Sequence, residues 1–441
     1  MNQQIPAESF DKSFEDARGA LGRSTGGKAL AEPILKLREQ AFSRFVELGI
    51  PSTKIEDWRY TNVQGLAKAK FEISQQAPST ASIAERLIPG LESYVCAIVD
   101  GAYVPALSTL PKLVGVVVQP ISELCVANDP GSSLSDHLAG GAQLSTHPFA
   151  ALNAATFTSG IHIKIAAKTV VDKPIQIAIV NTGATARAMQ PIRNIIEAGA
   201  RSDVRVFESF SGPEQDAYFT CCVTDVSCAE ESNVEHTKIQ LEGKESTHIG
   251  LLRIDQATKS KFTSNVFAFG GGTVRNEIHP CLGAEHIESF LNGLTVIGGE
   301  QHVDNTTVID HAKPNCFSRE LYKGIYSDKS SGAFSGTIIV RQDAQKTNAI
   351  QSNNSLLLST EASIDSRPQL KIWADDVKCT HGATVGQLDE HAMFYLRSRG
   401  IPERTARNML IHAFASDIVS HVSDEPVREY LQKLLLSRLG E

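Results

Sequence analysis

The sequence predicts a mainly β protein, with a parallel β-helix (solenoid) core flanked by helical N-terminal and C-terminal regions. Three observations carry that prediction. Short β-branched runs follow one another from about Gly160 for some 200 residues, with no amphipathic helix between them. A single open sheet rarely grows that large. Between Ser232 and Gly332 the runs recur roughly every 14 residues, the texture of stacked coils rather than of hairpins. Turn pairs such as Asn-Gly, which would mark an antiparallel sandwich, are scarce among them.

The elements follow in chain order. Residues 33–48, PILKLREQAFSRFVEL, set Leu35, Leu37, Phe42, Phe45, Val46 and Leu48 mostly on one helical stripe. Pro33 suits the first turn and Gly49 the C-terminal stop. VCAIVDG and LVGVVVQP read as strands, ISELC and LSDHLAG as short helices, and NDPGSS as a loop. The solenoid runs include PIQIAIVNT, AYFTCCVTDVSC, THIGLLRID, QHVDNTTVID and GAFSGTIIVRQ. After Gly386 come three helices: LDEHAMFYLRSRG, IPERTARNMLIHAFASDIVSHV and EPVREYLQKLLLSRL, with Pro426 near the start of the last. The expected division is 1–155 helical and mixed, 156–386 solenoid, and 387–441 helical. The C-terminal helices serve either to cap the solenoid or to offer a partner an amphipathic face.

Composition narrows function. The chain has 441 residues and a formal charge of −8, which gives no electrostatic footprint for nucleic acid. No stretch is long and apolar enough for a membrane span, and MNQQIPAESFDKSFEDARGA has neither the basic nor the apolar part of a secretion signal. Eight irregularly spaced cysteines are expected as free thiols, so a cytoplasmic protein is expected.

Several motifs fail on their physical context. GRSTGGKA at 22–29 nearly matches a phosphate loop, but Ala29 supplies no hydroxyl for magnesium and no apolar strand precedes it, so a loop is expected. FGGGTVRN lacks dinucleotide-binding spacing, and no GxSxG occurs. Cys221 and Cys222 point to opposite faces of any strand, and most cysteines are expected as buried packing.

DDVKCTHGATVGQLDE at 375–390 is different. In an extended strand Cys379 and His381 share a face, with Cα atoms roughly 6.5–7 Å apart. Thiolate and imidazole both suit a soft metal, yet two ligands complete neither a zinc site nor an iron–sulfur site. Taken locally, the pair is either structural or part of a site completed from elsewhere. Cys316, in HAKPNC, is a weaker candidate with no defined role, and a self-contained metalloprotein lacks the clustered ligands it needs.

RPQLKIWADDVKCTHGATVGQLDEHAMFYLRSRGIP resembles the C-terminal signature of the SufB/SufD family, the scaffold subunits of the SUF iron–sulfur assembly system. The likeness extends through DHAKPNCFSRELYKGIYSDKSSGAFSGTIIV, QKTNAIQSNNSLLLS and HPFAALNAATFTSGIHI to KIEDWRYTN, which is similar to the family's E-x-W-[RK]-Y-T element. Within the family it is similar to the SufD type. The SufB type carries a cysteine where this chain has Ser352, Asn353 and Asn354, and reads HEATTS where this one reads HGATVG, with Gly382 in place of the carboxylate.

The resemblance implies a right-handed parallel β-helix and a non-ATPase scaffold. It implies heterodimerisation with SufB through the β-helix, docking of the SufC ATPase on 387–441, and a homodimer when isolated. It implies that His381, with Cys379 beside it, lies at the SufB interface and holds iron or a transient cluster shared with SufB, and that this chain binds no nucleotide. The competing class, a β-helix enzyme acting on polysaccharide, fits poorly with 6% aromatic residues and no secretion signal.

Overall fold

The computed structural model describes residues 10–126 and 146–438; the expected helix LSDHLAG and loop NDPGSS lie outside them. The chain begins with helices α1 (Asp11–Ser24) and α2 (Glu32–Leu48), and a single turn α3 (Gly65–Lys68). Gly49 stops α2 at φ +61°, a region open to glycine because it has no Cβ. The GRSTGGKA segment is the last turn of α1 followed by a loop, so three of its eight residues are helical where a loop was expected. It opens no helix and follows no strand.

Strands β1 (Tyr94–Val99), β2 (Ala102–Tyr103) and β3 (Val116–Pro120) precede α4 (Ser122–Val126) and α5 (Pro148–Thr156). The solenoid then runs through β4 (Ile161–Ile165), β5 (Ile175–Val180), β6 (Met189–Ala198), β7 (Asp203–Ser211), β8 (Phe219–Cys228) and β9 (Asn233–Leu241). It continues through β10 (Thr247–Gln256), β11 (Lys261–Ala268), β12 (Thr273–Leu282), β13 (Glu288–Ile297) and β14 (His302–His311). Its last strands are β15 (Phe317–Tyr326), β16 (Ser331–Val340), β17 (Asn348–Leu357), β18 (Ser363–Ile372) and β19 (Lys378–Gly386). Odd strands from β5 to β19 stack parallel in one sheet, and even strands from β4 to β18 in the other. Each coil therefore supplies one strand to each sheet, which is the expected parallel β-solenoid. Successive even strands start 26 to 32 residues apart (Thr247 to Thr273, and Ser331 to Ser363), so half-coils recur near the spacing read from sequence.

One corner repeats with a chemistry the runs alone do not display. Arg201, Glu231, Lys259, Asn315 and Lys346 all adopt left-handed backbone conformations, with φ between 56° and 62°. That conformation costs about 1 kcal/mol or more in a residue with a Cβ. Each is held by its N–H, which donates to a carbonyl of the next coil at 2.7–3.0 Å. The following residue turns back: Ser232, Ser260 and Thr347 donate their hydroxyls to the carbonyls of Ala229, Ala257 and Ala344.

Side chains alternate between the solenoid interior and its two outer faces. Ile177, Ile196, Val226, Ile254, Leu291 and Ile338 fill the interior. Outside the even sheet, the N-terminal region packs Trp58, Phe71 and Phe149 against Met189, Phe219 and Ile249. Trp58 also lies over the Arg275 guanidinium at 4.1 Å, and His147 Nε2 sits 2.8 Å from Glu277 Oε1. The buried Thr61 donates to Asp304. The residues of EDWRYT thus fasten the N-terminal region to the solenoid.

After β19 come α6 (Glu390–Ser398), α7 (Glu403–Val419) and α8 (Glu425–Arg438). Asp389 caps α6 by accepting from the N–H groups of His391 and Ala392. Ile411, Ala415 and Ile418 of α7, with Leu431 and Leu435 of α8, pack on Phe207, Ile239, Phe267, Leu294 and Leu321 of the odd sheet. These helices therefore cover the flank of the solenoid and leave its final coil open. The capping role considered for them from sequence is not the one they play.

Candidate functional site

The final coil is where the candidate residues lie. Among the described residues β19 pairs only with β17, and β18 only with β16, so both sheets end in strands with one edge unpaired. Such edges are ready templates for another chain. Trp373, directly after β18, is 60% exposed, and in α6, which follows β19, Phe394 is 74% and Tyr395 58% exposed.

Two interior rows reach this end. Cα register runs Val234, Phe262, Ser289, Ser318, Ala349, Cys379 along one. Along the neighbouring row it runs His236, Ser264, Leu291, Glu320, Gln351, His381. All members before the last are buried, because a further coil covers each of them. Cys379 is half-buried and packs on the interior, and His381 is exposed. The expectation that they share a face holds, and that face is the mouth of the solenoid.

The chemistry of each follows from its place. Burial pushes the Cys379 thiol up, partly offset by the Ala349 backbone N–H, so it is a thiol rather than a thiolate in this chain alone. Among the described residues no group of three or more His, Cys, Asp or Glu is placed to hold a metal ion. The pair therefore offers two donor side chains at an uncovered edge, with no third beside them among the described residues.

Cys316 is not brought to the pair. It occupies the corner position held by Ser232, Ser260 and Thr347 in other coils, and its Sγ donates to the Ala284 carbonyl at 3.2 Å. Burial raises its thiol as well. Of the remaining cysteines, Cys96, Cys125, Cys221, Cys222 and Cys228 are buried and unbridged, and Cys281 is half-buried.

Sequence reasoning missed two residues beneath His381. Glu320 is fully buried and accepts from Thr307 Oγ1 and Gln351 Nε2, both at 2.6 Å. Burial pushes its carboxyl up to about 7, against the lowering effect of those two bonds. Gln351 is 1% exposed, and its Oε1 has no hydrogen-bond partner. Gly336 makes room for its amide, since a Cβ there would lie 2.2 Å from Nε2. The signal available in sequence was a polar pair 31 residues apart, visible only once the coil length is known.

Comparison with known proteins agrees with this architecture. Residues 179–414 match the model of the SUF system FeS cluster assembly SufBD core domain, and residues 9–177 that of the SufBD protein N-terminal region. The chain is 30% identical to the iron–sulfur cluster assembly protein SufD of Escherichia coli, over 91% of this chain and 92% of that protein. It is 28% identical to a SufBD family protein of Synechocystis (88% and 87% covered) and 26% identical to SufD of Bacillus subtilis (91% and 93%).

Proposed function

The chain belongs to the SufBD family of the SUF iron–sulfur cluster assembly system, and from that membership we propose that it is a non-ATPase scaffold subunit contributing half of a cluster-assembly site. The observation that carries this reading is the open final coil, where His381 and Cys379 meet an unpaired strand edge. Two donors there are too few to hold a metal alone and are placed to be completed by a second chain. A SufB-type subunit is the partner of choice, added edge to edge on β18 and β19. A second copy of this chain takes the same place when it is isolated.

Iron and sulfide are cargo in this reading. Neutral imidazole and a thiol that ionises on metal binding form a partial shell, which lets a nascent cluster leave again. GRSTGGKA ends a helix instead of joining a strand to one, which is not the setting of a phosphate loop, and in this reading ATP hydrolysis belongs to a SufC-type partner. α6 supports that docking: none of its residues is buried, and Phe394 and Tyr395 stand in solvent. Nucleotide binding by the partner would act on the mouth through residues 387–441, by favouring one arrangement of the scaffold pair over another.

The test is iron and acid-labile sulfide in the assembly co-purified with SufB-type and SufC-type subunits without air. His381→Ala should leave the assembly intact and remove most of its cluster. Unchanged cluster content would place the chemistry wholly on the partner.

A further inference from the structure

Three facts in the interior row bear on how His381 is held. The first is the register that places Gln351 directly beneath it, on the adjacent strand of the same sheet, at the usual strand spacing of about 4.8 Å. Both residues face the interior, because Cys379, two positions before His381, packs on the core. The second is the Gln351 amide, whose two ends are chemically distinct. Glu320, one coil further in, accepts from Nε2 at 2.6 Å and so fixes which end faces inward. The third is that Gln351 Oε1, on the other end of the same planar group, is buried with no partner. A buried acceptor without a donor costs roughly 1–3 kcal/mol, so a donor within reach is strongly favoured.

We infer that Gln351 is a positioning residue for His381, its Oε1 accepting a hydrogen bond from one imidazole N–H, with Glu320 behind it setting the orientation of the amide. The inference rests on the reading of His381 given above and adds the residues that prepare it. A metal-binding histidine commonly donates its second ring nitrogen to an oxygen acceptor, which fixes the tautomer and aims the free lone pair. Here the bond to Oε1 is made by turning the His381 side chain inward about its own χ angles, a motion open at an uncovered coil. One ring nitrogen is then committed to the interior, and the lone pair of the other faces the mouth, where cargo and partner meet. Glu320 touches neither. Its part is to keep Gln351 from presenting the amide's NH2 end to the histidine, where it would compete for that lone pair.

The experiment is histidine-selective 15N NMR of the full chain at a pH where imidazole is neutral, with His381→Ala used to assign the resonance. In the wild type, the ring nitrogens of His381 should report one dominant tautomer. Gln351→Leu should shift the ratio toward that of a solvated imidazole, leaving the resonances of the interior His236 and His311 in place as the sign of an intact fold. Glu320→Gln should shift it in the same direction by a smaller amount, because an amide facing an amide no longer selects which end of Gln351 points outward. If Gln351→Leu does not fold, the Glu320→Gln result decides. A His381 tautomer ratio equal in wild type and in the folded variants overturns the inference. That outcome leaves the half-site reading standing, since only the cluster content of His381→Ala addresses it.

Discussion

Glu320 and His381 share one interior row, and the covering coil makes opposite demands on them. At Glu320 the coil removes water, so the carboxyl, ordinarily near 4.5, is pushed up to about 7. A folded value above the unfolded one means that the native state binds the proton more tightly. The resulting stabilisation is complete below about 4.5 and is lost as pH rises through 7. Glu320→Gln removes a charge that the interior disfavours. The variant should gain about 2 kcal/mol on the wild type between pH 5.5 and pH 8, read from denaturant unfolding at the two values. His311, which burial lowers to about 4, changes stability over the lower part of that range in both proteins and cancels in the difference. An equal pH slope in the two would mean that Glu320 is hydrated. At His381 no covering coil exists, so the side chain keeps its solvent. The sequence displayed the Cys379 and His381 spacing plainly, because a period of two is a property of any strand. It could not display Glu320 or Gln351, since their relation to His381 depends on coil length.

The strands tolerate a polar interior in part because groups on one sheet find partners on the other. Lys238 of β9, buried, donates to His248 Nε2 and Asn276 Oδ1, both at 2.7 Å. His248 in turn faces Glu242, whose other oxygen accepts from Thr220. Gly250 of β10 leaves the space this network fills, since a Cβ there would stand 2.5 Å from Lys238 Nζ and 2.9 Å from His248 Nε2. Gly250→Ala should therefore destabilise the chain by roughly 2–4 kcal/mol, through overpacking beside a buried charge. A melting temperature within a degree of wild type would show that the lysine can move aside. From sequence, Gly250 in HIGLLRI reads only as a weak point in a strand. The strands themselves were legible because β-branched runs leave few alternatives to extended backbone. The corners were not. NIIEAGARSDVRVFESF reads as one run, yet a left-handed Arg201 divides it into β6 and β7. That conformation is favoured only when a neighbouring coil supplies the carbonyl.

At the scale of the molecule, two helical regions clothe the flanks of the solenoid and, among the described residues, leave the strand edges of its last coil unpaired. The N-terminal region is fastened by Trp58 over Arg275 and by Thr61 on Asp304, while Glu56 pairs with Arg367 of β18. Trp58→Ala should cost about 3–5 kcal/mol in packing and cation–π contact and expose the N-terminal region to limited proteolysis before the solenoid. Cleavage of both regions at one rate would show that they unfold as a unit. The sequence by itself determined the solenoid, its half-coil of about 14 residues, the helices at either end, and the face shared by Cys379 and His381. Each of these follows from local periodicity, which one segment carries alone. Only the tertiary structure decided that the C-terminal helices lie on the odd sheet, that Cys316 is a corner, and that Gln351 and Glu320 stand beneath His381. Those are matters of register and docking. They are sums over contacts between residues some 30 or more positions apart, and no single stretch of sequence contains them.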